Sequence, residues 1–141
     1  MSESLDRRDF VTTCALACCG ALLAGCVSMV THPVPVSGGR VRIPLAKYPE
    51  LSRPAGAIKV QPEGMQDPVY VLATSSGFTA VSPICTHRGC TVDVSGERLV
   101  CPCHGSTYDR EGRVLKGPAQ RALQRFTVSR AGDELILELG A

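Results

Sequence analysis

Two short boxes in this sequence carry chemistry: Cys85-Thr86-His87-Arg88-Gly89-Cys90 and Cys101-Pro102-Cys103-His104-Gly105-Ser106. Each supplies one Cys–His pair, spaced Cys-x-His in the first and Cys-x-x-His in the second, and each carries one further cysteine, Cys90 or Cys103. Thiolate and imidazole are the soft and borderline ligands that hold zinc and iron. Spacings this short point both ligands of a box from one tight loop toward one centre. Four donors, Cys85, His87, Cys101 and His104, therefore make a metal site if the two boxes face each other. Tetrahedral zinc satisfies that set, and so does a [2Fe–2S] cluster with cysteines on one iron and histidines on the other. Spacing alone leaves both open.

Something must bring the boxes together. Ser95-Gly96 between residues 91–94 and 97–100 reads as a hairpin turn that returns the second box to the first. The rest of the body has the same short alternating pattern. Residues 40–46, 57–61, 69–73, 78–81, 113–115, 123–129 and 134–139 are expected strands, with hairpin turns at 74–77 and 131–133. Gly 14 and Pro 10 fit many turns, and no long helical period follows residue 30. The chain lacks Trp and has three Phe and three Tyr, so the core must be built from Val, Leu, Ile and Ala. The expected fold is all-β, with strands from both flanks of the boxes making a common base. Net charge is +2 with both signs interspersed, which gives nucleic-acid binding no support.

The N-terminus reads as an address. Arg7-Arg8 precedes an uncharged run over 10–30, the pattern of a twin-arginine export signal. Leu23-Ala24-Gly25-Cys26 within it resembles a lipoprotein cleavage box, making Cys26 a lipidation candidate. Kept uncleaved, the same run has the roughly 20 residues that one membrane crossing takes. Either outcome, or plain secretion, places the domain outside the cytoplasmic membrane. Residues 1–30 are thus signal or anchor. Residues 31–39, with two prolines and two glycines, are expected as a tether with His32 solvated in it, and 40–141 form the domain. The eight cysteines split between the apolar run and the boxes, which argues for one local site over a disulfide-stapled scaffold.

The boxes resemble, almost residue for residue, those of the Rieske iron–sulfur proteins, most closely the subclass in cytochrome bc- and bf-type quinol-oxidising complexes. The resemblance is close over about 69–139, and it implies an antiparallel β-sandwich or barrel base with a small cluster-binding subdomain inserted at about 83–120. It implies one [2Fe–2S] cluster, with Cys85 and Cys101 on an inner iron and His87 and His104 on an outer, more exposed one. It implies a disulfide between Cys90 and Cys103, which an exported domain can keep. Ser106 and Tyr108 match a serine and a tyrosine that hydrogen-bond the cluster sulfurs. Gly117-Pro118-Ala119 is similar to a proline loop that covers the cluster.

The family function so implied is electron transfer at high potential, the Rieske range being about −150 to +300 mV against about −400 mV for all-cysteine clusters. The histidines would accept a proton from a quinol as the electron leaves, and a tether would let the head swing to a cytochrome. The implied partners are a cytochrome b-type subunit and a c-type cytochrome at the periplasmic face of the membrane. Alternatives are the small subunit of a periplasmic molybdenum (arsenite-type) oxidase and a stand-alone membrane-tethered carrier. Three features depart from the quinol-oxidising pattern. Arg88 stands where an apolar Leu is usual, the connector of ten residues between the boxes is short, and the domain is small.

Overall fold

Alternation in the sequence becomes alternation in burial. The computed structural model describes residues 28–140, so the twin arginine, the apolar run up to residue 27 and Cys26 lie outside the described residues. Eleven strands follow: β1 (Thr31–Val34), β2 (Arg40–Pro44), β3 (Ala57–Pro62), β4 (Val69–Thr74), β5 (Gly77–Val81), β6 (Asp93–Ser95), β7 (Arg98–Val100), β8 (Thr107–Asp109), β9 (Val114–Lys116), β10 (Arg125–Ala131) and β11 (Glu134–Glu138). Two 3₁₀ turns, Leu45–Lys47 and Pro49–Ser52, join β2 to β3. Among the described residues no helix is long and apolar enough to cross a membrane. The fold is all-β, as the sequence leads one to expect.

The strands form a seven-stranded sheet in the order β1-β3-β4-β5-β10-β11-β2 and a four-stranded sheet in the order β6-β7-β8-β9. The two edges of the larger sheet, β1 and β2, are consecutive in the chain and meet at a tight turn where Ser37 and Arg40 exchange backbone hydrogen bonds of 2.9 and 3.1 Å. The sheet so curls into a nearly closed barrel. Its interior holds Val41 and Ile43 of β2, Ile58 and Val60 of β3, and Leu135 and Leu137 of β11, each alternating with a more exposed neighbour.

Strand β4 shows no such alternation, because both of its faces are buried. Val69 and Val71 enter the barrel core, whereas Tyr70 and Leu72 enter a second core beneath the smaller sheet. A strand covered on both sides reads as a continuous apolar run, and Val69-Tyr70-Val71-Leu72 is one. The smaller sheet is built from the chain between β5 and β10. Those two strands pair with each other at Arg125↔Val81, and Ser82 N–H donates to the Gln124 carbonyl at 2.8 Å. The insertion therefore leaves and returns at one narrow neck.

Arg110, at the turn after β8, ties the two sheets. It is 3% exposed, and its guanidinium donates to the carbonyls of Ala73 at 2.7 Å, Gly96 at 2.6 Å and Gly56. Thr79 of β5 donates its hydroxyl to the Arg110 carbonyl at 2.7 Å. Burial lowers the pKa of this guanidinium from its ordinary value, opposed by the nearby Glu97 and Glu111 carboxylates. Three neutral carbonyl dipoles satisfy a cation that would otherwise be costly to bury.

The tether reading of 31–39 does not hold for its first half. Thr31–Val34 is a strand, parallel to β3 in the register Thr31↔Lys59 to Val34↔Pro62, and Val34 is buried in the barrel core. Proline is compatible with an edge strand, where its missing N–H faces away from the ladder. That is how Pro33 fits. His32 packs edge-on against Tyr48 with ring centroids 5.1 Å apart, so it is not free in solvent. Two further differences are small. The turn between the boxes is centred at Gly96-Glu97, one residue later than expected, and β10 begins at Arg125 because Leu123 is buried in the second core.

Candidate metal centre

The two boxes fold into loops with one backbone pattern. In the first, Cys85 N–H donates to the Cys90 carbonyl at 2.8 Å and Gly89 N–H returns to the Cys85 carbonyl at 2.9 Å. In the second, Cys101 N–H donates to the Ser106 carbonyl at 2.7 Å and Gly105 N–H returns to the Cys101 carbonyl at 2.9 Å. Each loop closes on a glycine at positive φ, 79° for Gly89 and 76° for Gly105, where a side chain is strained. The loops leave β5 and β7 and lead, after short connections, into β6 and β8. An isolated bridge between Ile84 and Thr91 pins the first at its base.

This frame sorts the donors by depth. The free thiols of Cys85 and Cys101 are each 2% exposed and belong to the second core, whereas His87 is half-buried and His104 exposed. The two imidazoles meet edge to face with centroids 4.9 Å apart. The thiols thus lie inside and the imidazoles outside. Cys90 and Cys103 are joined by a disulfide that links the loops, with Cα atoms 6.5 Å apart. The Cys101 sulfur lies within 4.8 Å of both disulfide sulfurs. Those three sulfurs are not themselves a metal trio, because the disulfide leaves Cys90 and Cys103 no thiolate to give.

Polar groups surround the thiols. The Tyr108 hydroxyl, wholly buried, lies 3.2 Å from Cys85 Sγ and accepts Thr86 N–H at 3.3 Å. Burial pushes the Cys85 thiol up. Hydrogen bonds from the Tyr108 hydroxyl, His87 N–H, Cys101 and Ser106 outweigh it and bring the thiol below its ordinary value. Cys101 ends above its ordinary value, chiefly through burial, although Cys103 and His104 N–H groups pull the other way. Burial also raises Tyr108, so its hydroxyl stays protonated as a donor. Sulfur ringed by N–H and O–H donors is the environment that stabilises added negative charge.

A third segment closes the site. Ser106, 0% exposed, accepts Ala119 N–H on its Oγ at 3.1 Å, leaving its own proton to donate elsewhere. Gly117 runs so close to the second loop that a Cβ there would lie 2.6 Å from Ser106 Cα. The Thr86 hydroxyl donates to the Arg121 carbonyl at 2.6 Å, fixing the far end of this segment to the first loop. Tyr108 and Ser106 thus lie beside the thiol of Cys85, Cys85 and Cys101 share one core, and His87 and His104 meet each other further out. Thr86 was missed by sequence reading, since a threonine inside a ligand box looks like filler. So was Arg110, which in Asp109-Arg110-Glu111-Gly112 looks like part of an ordinary charged turn.

The donor set fits a [2Fe–2S] cluster better than zinc. A structural zinc site gains nothing from a hydroxyl aimed at a ligand sulfur or from two histidines facing outward at a tip, whereas a redox centre uses both. The comparisons agree. A family model described as Rieske [2Fe-2S] domain matches residues 43–127. The cytochrome b6-f complex iron-sulfur subunit of Chlorobaculum tepidum is 33% identical over 97 residues, covering 67% of this chain and 53% of the relative. The subunit of the same description from Synechococcus sp. (strain JA-3-3Ab) is 29% identical over 147 residues, covering 93% and 86%. The match spans about half the length of the first of these relatives. Among solved structures, the cyanobacterial plasma membrane Rieske protein PetC3 from Synechocystis PCC 6803 superposes with a TM-score of 0.52 at 36% identity, covering 58% of this chain and 85% of that one. The ferredoxin–oxygenase complex of carbazole 1,9a-dioxygenase, at 19% identity and a TM-score of 0.59, shares the fold alone. Buried thiols, outward imidazoles and the matched sequence lead to one conclusion: the chain belongs to the Rieske [2Fe–2S] family, whose cofactor is one such cluster.

Proposed function

We propose that this chain is the iron–sulfur subunit of a quinol:cytochrome c oxidoreductase-like complex at the periplasmic face of a bacterial membrane. In this reading Cys85 and Cys101 ligate the inner iron and His87 and His104 the outer one. The observation that carries it is the Tyr108 hydroxyl 3.2 Å from Cys85 Sγ, in loops that a disulfide holds together. When bound, the cluster supplies one-electron redox chemistry. The chain's residues set its terms. Tyr108 and Ser106 donate to sulfur and favour the more negative reduced state, which raises the potential. At the tip, His104 and His87 offer ring nitrogens that accept the hydrogen bond of a quinol hydroxyl and take its proton. Retention at the membrane, through lipidation at Cys26 or an uncleaved run over 10–30, belongs to the same proposal. The curated relatives described as cytochrome b6-f subunits support the choice of complex.

One observation favours a second reading, a membrane-tethered carrier without a quinol site. Arg88 is exposed beside His87, and a hydrated cation is poorly suited to an apolar quinone pocket. Nothing in the structure favours the molybdenum-oxidase alternative. Redox titration by EPR in native membranes, with and without a quinone-site inhibitor, separates the readings. An inhibitor-induced shift of the spectrum supports the quinol-oxidising complex. An unchanged spectrum, or co-purification with a large molybdenum subunit, removes it.

A further inference from the structure

The cluster-binding sheet is electrically polarised along its length. At its tip, residues 83–92, 101–108 and 114–124 contain no Asp or Glu, and their charged residues are Arg88, Lys116 and Arg121. All three are exposed, and among the described residues none forms an ion pair. At the opposite end, around the β6–β7 and β8–β9 turns, Glu97, Asp109 and Glu111 gather, with Arg113 on Asp109 at 2.7 Å and on Glu111 at 3.5 Å, while Asp93 starts β6 opposite Val100, at the end nearer the loops. Three of the four acids of this sheet are thus held away from the tip.

The three cations sit on the segments that carry or flank the imidazoles. Arg88 follows His87 directly in the first loop. Lys116 pairs in register with Thr107 and precedes Gly117, whose close approach is to Gly105 and Ser106 beside His104. Arg121 carries the carbonyl that holds Thr86 of the first loop. Unpaired like charges around one redox edge raise the local potential, and that field is useful if it selects a partner.

We infer that the tip is a docking face for an electron-transfer protein whose own redox edge is rimmed by Asp and Glu, with Arg88, Lys116 and Arg121 setting orientation. The inference rests on the reading of the chain as a Rieske electron-transfer protein and names the charge of its partner. It also gives Arg88 a purpose that a quinone pocket does not.

The test uses the reduced, cluster-loaded full chain in detergent and follows its oxidation by stopped flow. The oxidants are ferricyanide, an anion, and tris(phenanthroline)cobalt(III), a cation. Between about 0.01 M and 0.15 M ionic strength the screening length shrinks from about 30 to 8 Å. The ferricyanide rate should then fall on the order of tenfold and the cobalt rate should rise. Arg88→Glu, Lys116→Glu and Arg121→Glu together should reverse both trends while the EPR signal keeps its intensity. If the triple variant loads poorly, Arg121→Glu alone should shift both trends in the same direction. Poly-glutamate should slow ferricyanide oxidation of the wild-type chain and leave the triple variant unaffected. Salt dependences of one sign for both oxidants overturn the inference. So does protection by phosphatidylglycerol vesicles in place of poly-glutamate, which assigns the face to lipid. Loss of the Rieske EPR signal in the wild-type chain would instead defeat the underlying functional reading.

Discussion

The loops at 85–90 and 101–106 share a backbone and differ in what they hang on it. Counting from Cys85 and from Cys101, the second position holds His87 in one and Cys103 in the other, the third holds Arg88 and His104, and the fifth holds Cys90 and Ser106. The matched hydrogen bonds and the glycine at the fourth position hold both cysteine sulfurs inward. Imidazole comes from the second position in one loop and from the third in the other, so the frame does not dictate it. The disulfide likewise joins the fifth position of the first loop to the second of its partner. Backbone sets the depth of the thiols. Side-chain choice sets what faces the partner.

That comparison can be broken first at the ligands. Exchanging His87 and Arg88 moves one imidazole from the second position to the third, where the frame aims it differently. The cluster's visible absorption and EPR signal should vanish, as in Cys101→Ser. Removing the bridge between the loops, by Cys90→Ser with Cys103→Ser, should cost about 3 kcal/mol, the value for cross-linking a loop of similar length. Sequence separation here is 13. Denaturant titration should show that loss while a weaker EPR signal persists.

Smaller effects sharpen the contrast. Gly117→Ala should cost about 1–3 kcal/mol, the usual penalty for overpacking, because its Cβ meets Ser106 Cα in the second loop only. Limited proteolysis should then open the second loop before the first. Tyr108→Phe removes the hydroxyl at Cys85 and should lower the midpoint potential by on the order of 60 mV, the one-electron equivalent of ~1.4 kcal/mol. A potential unchanged by that variant would show that the 3.2 Å contact does not tune the centre. Arg88→Leu, at an exposed third position, should change unfolding free energy by less than about 0.5 kcal/mol.

The candidate site was legible as a motif because its pattern is local. Cys-x-His and Cys-x-x-His put both candidate ligands of a loop within one turn, and the turn between the boxes follows from Ser95-Gly96-Glu97. The hairpin of β4 and β5 was legible for the same reason. Features that depend on distant chain were not. Pro33 and the two glycines of 31–39 look like a linker until β3 supplies an edge for Thr31–Val34 to join. Arg110 looks solvated until carbonyls from residues 56, 73 and 96 converge on it. Thr86 gains its role only when the Arg121 carbonyl arrives from 35 residues away. Local periodicity carries no record of such meetings.

Strand β1 also sets how far the redox tip can travel. A linker of nine residues before β2 would give the head a wide orbit about any membrane attachment. With Thr31–Val34 laid into the sheet beside β3, the span from Cys26 to Thr31 is five residue steps, at most about 18 Å when fully extended. Attached at Cys26, the domain would stay close to the bilayer surface. Electrons would then be exchanged with partners that come within that short radius, and their approach would set the pace.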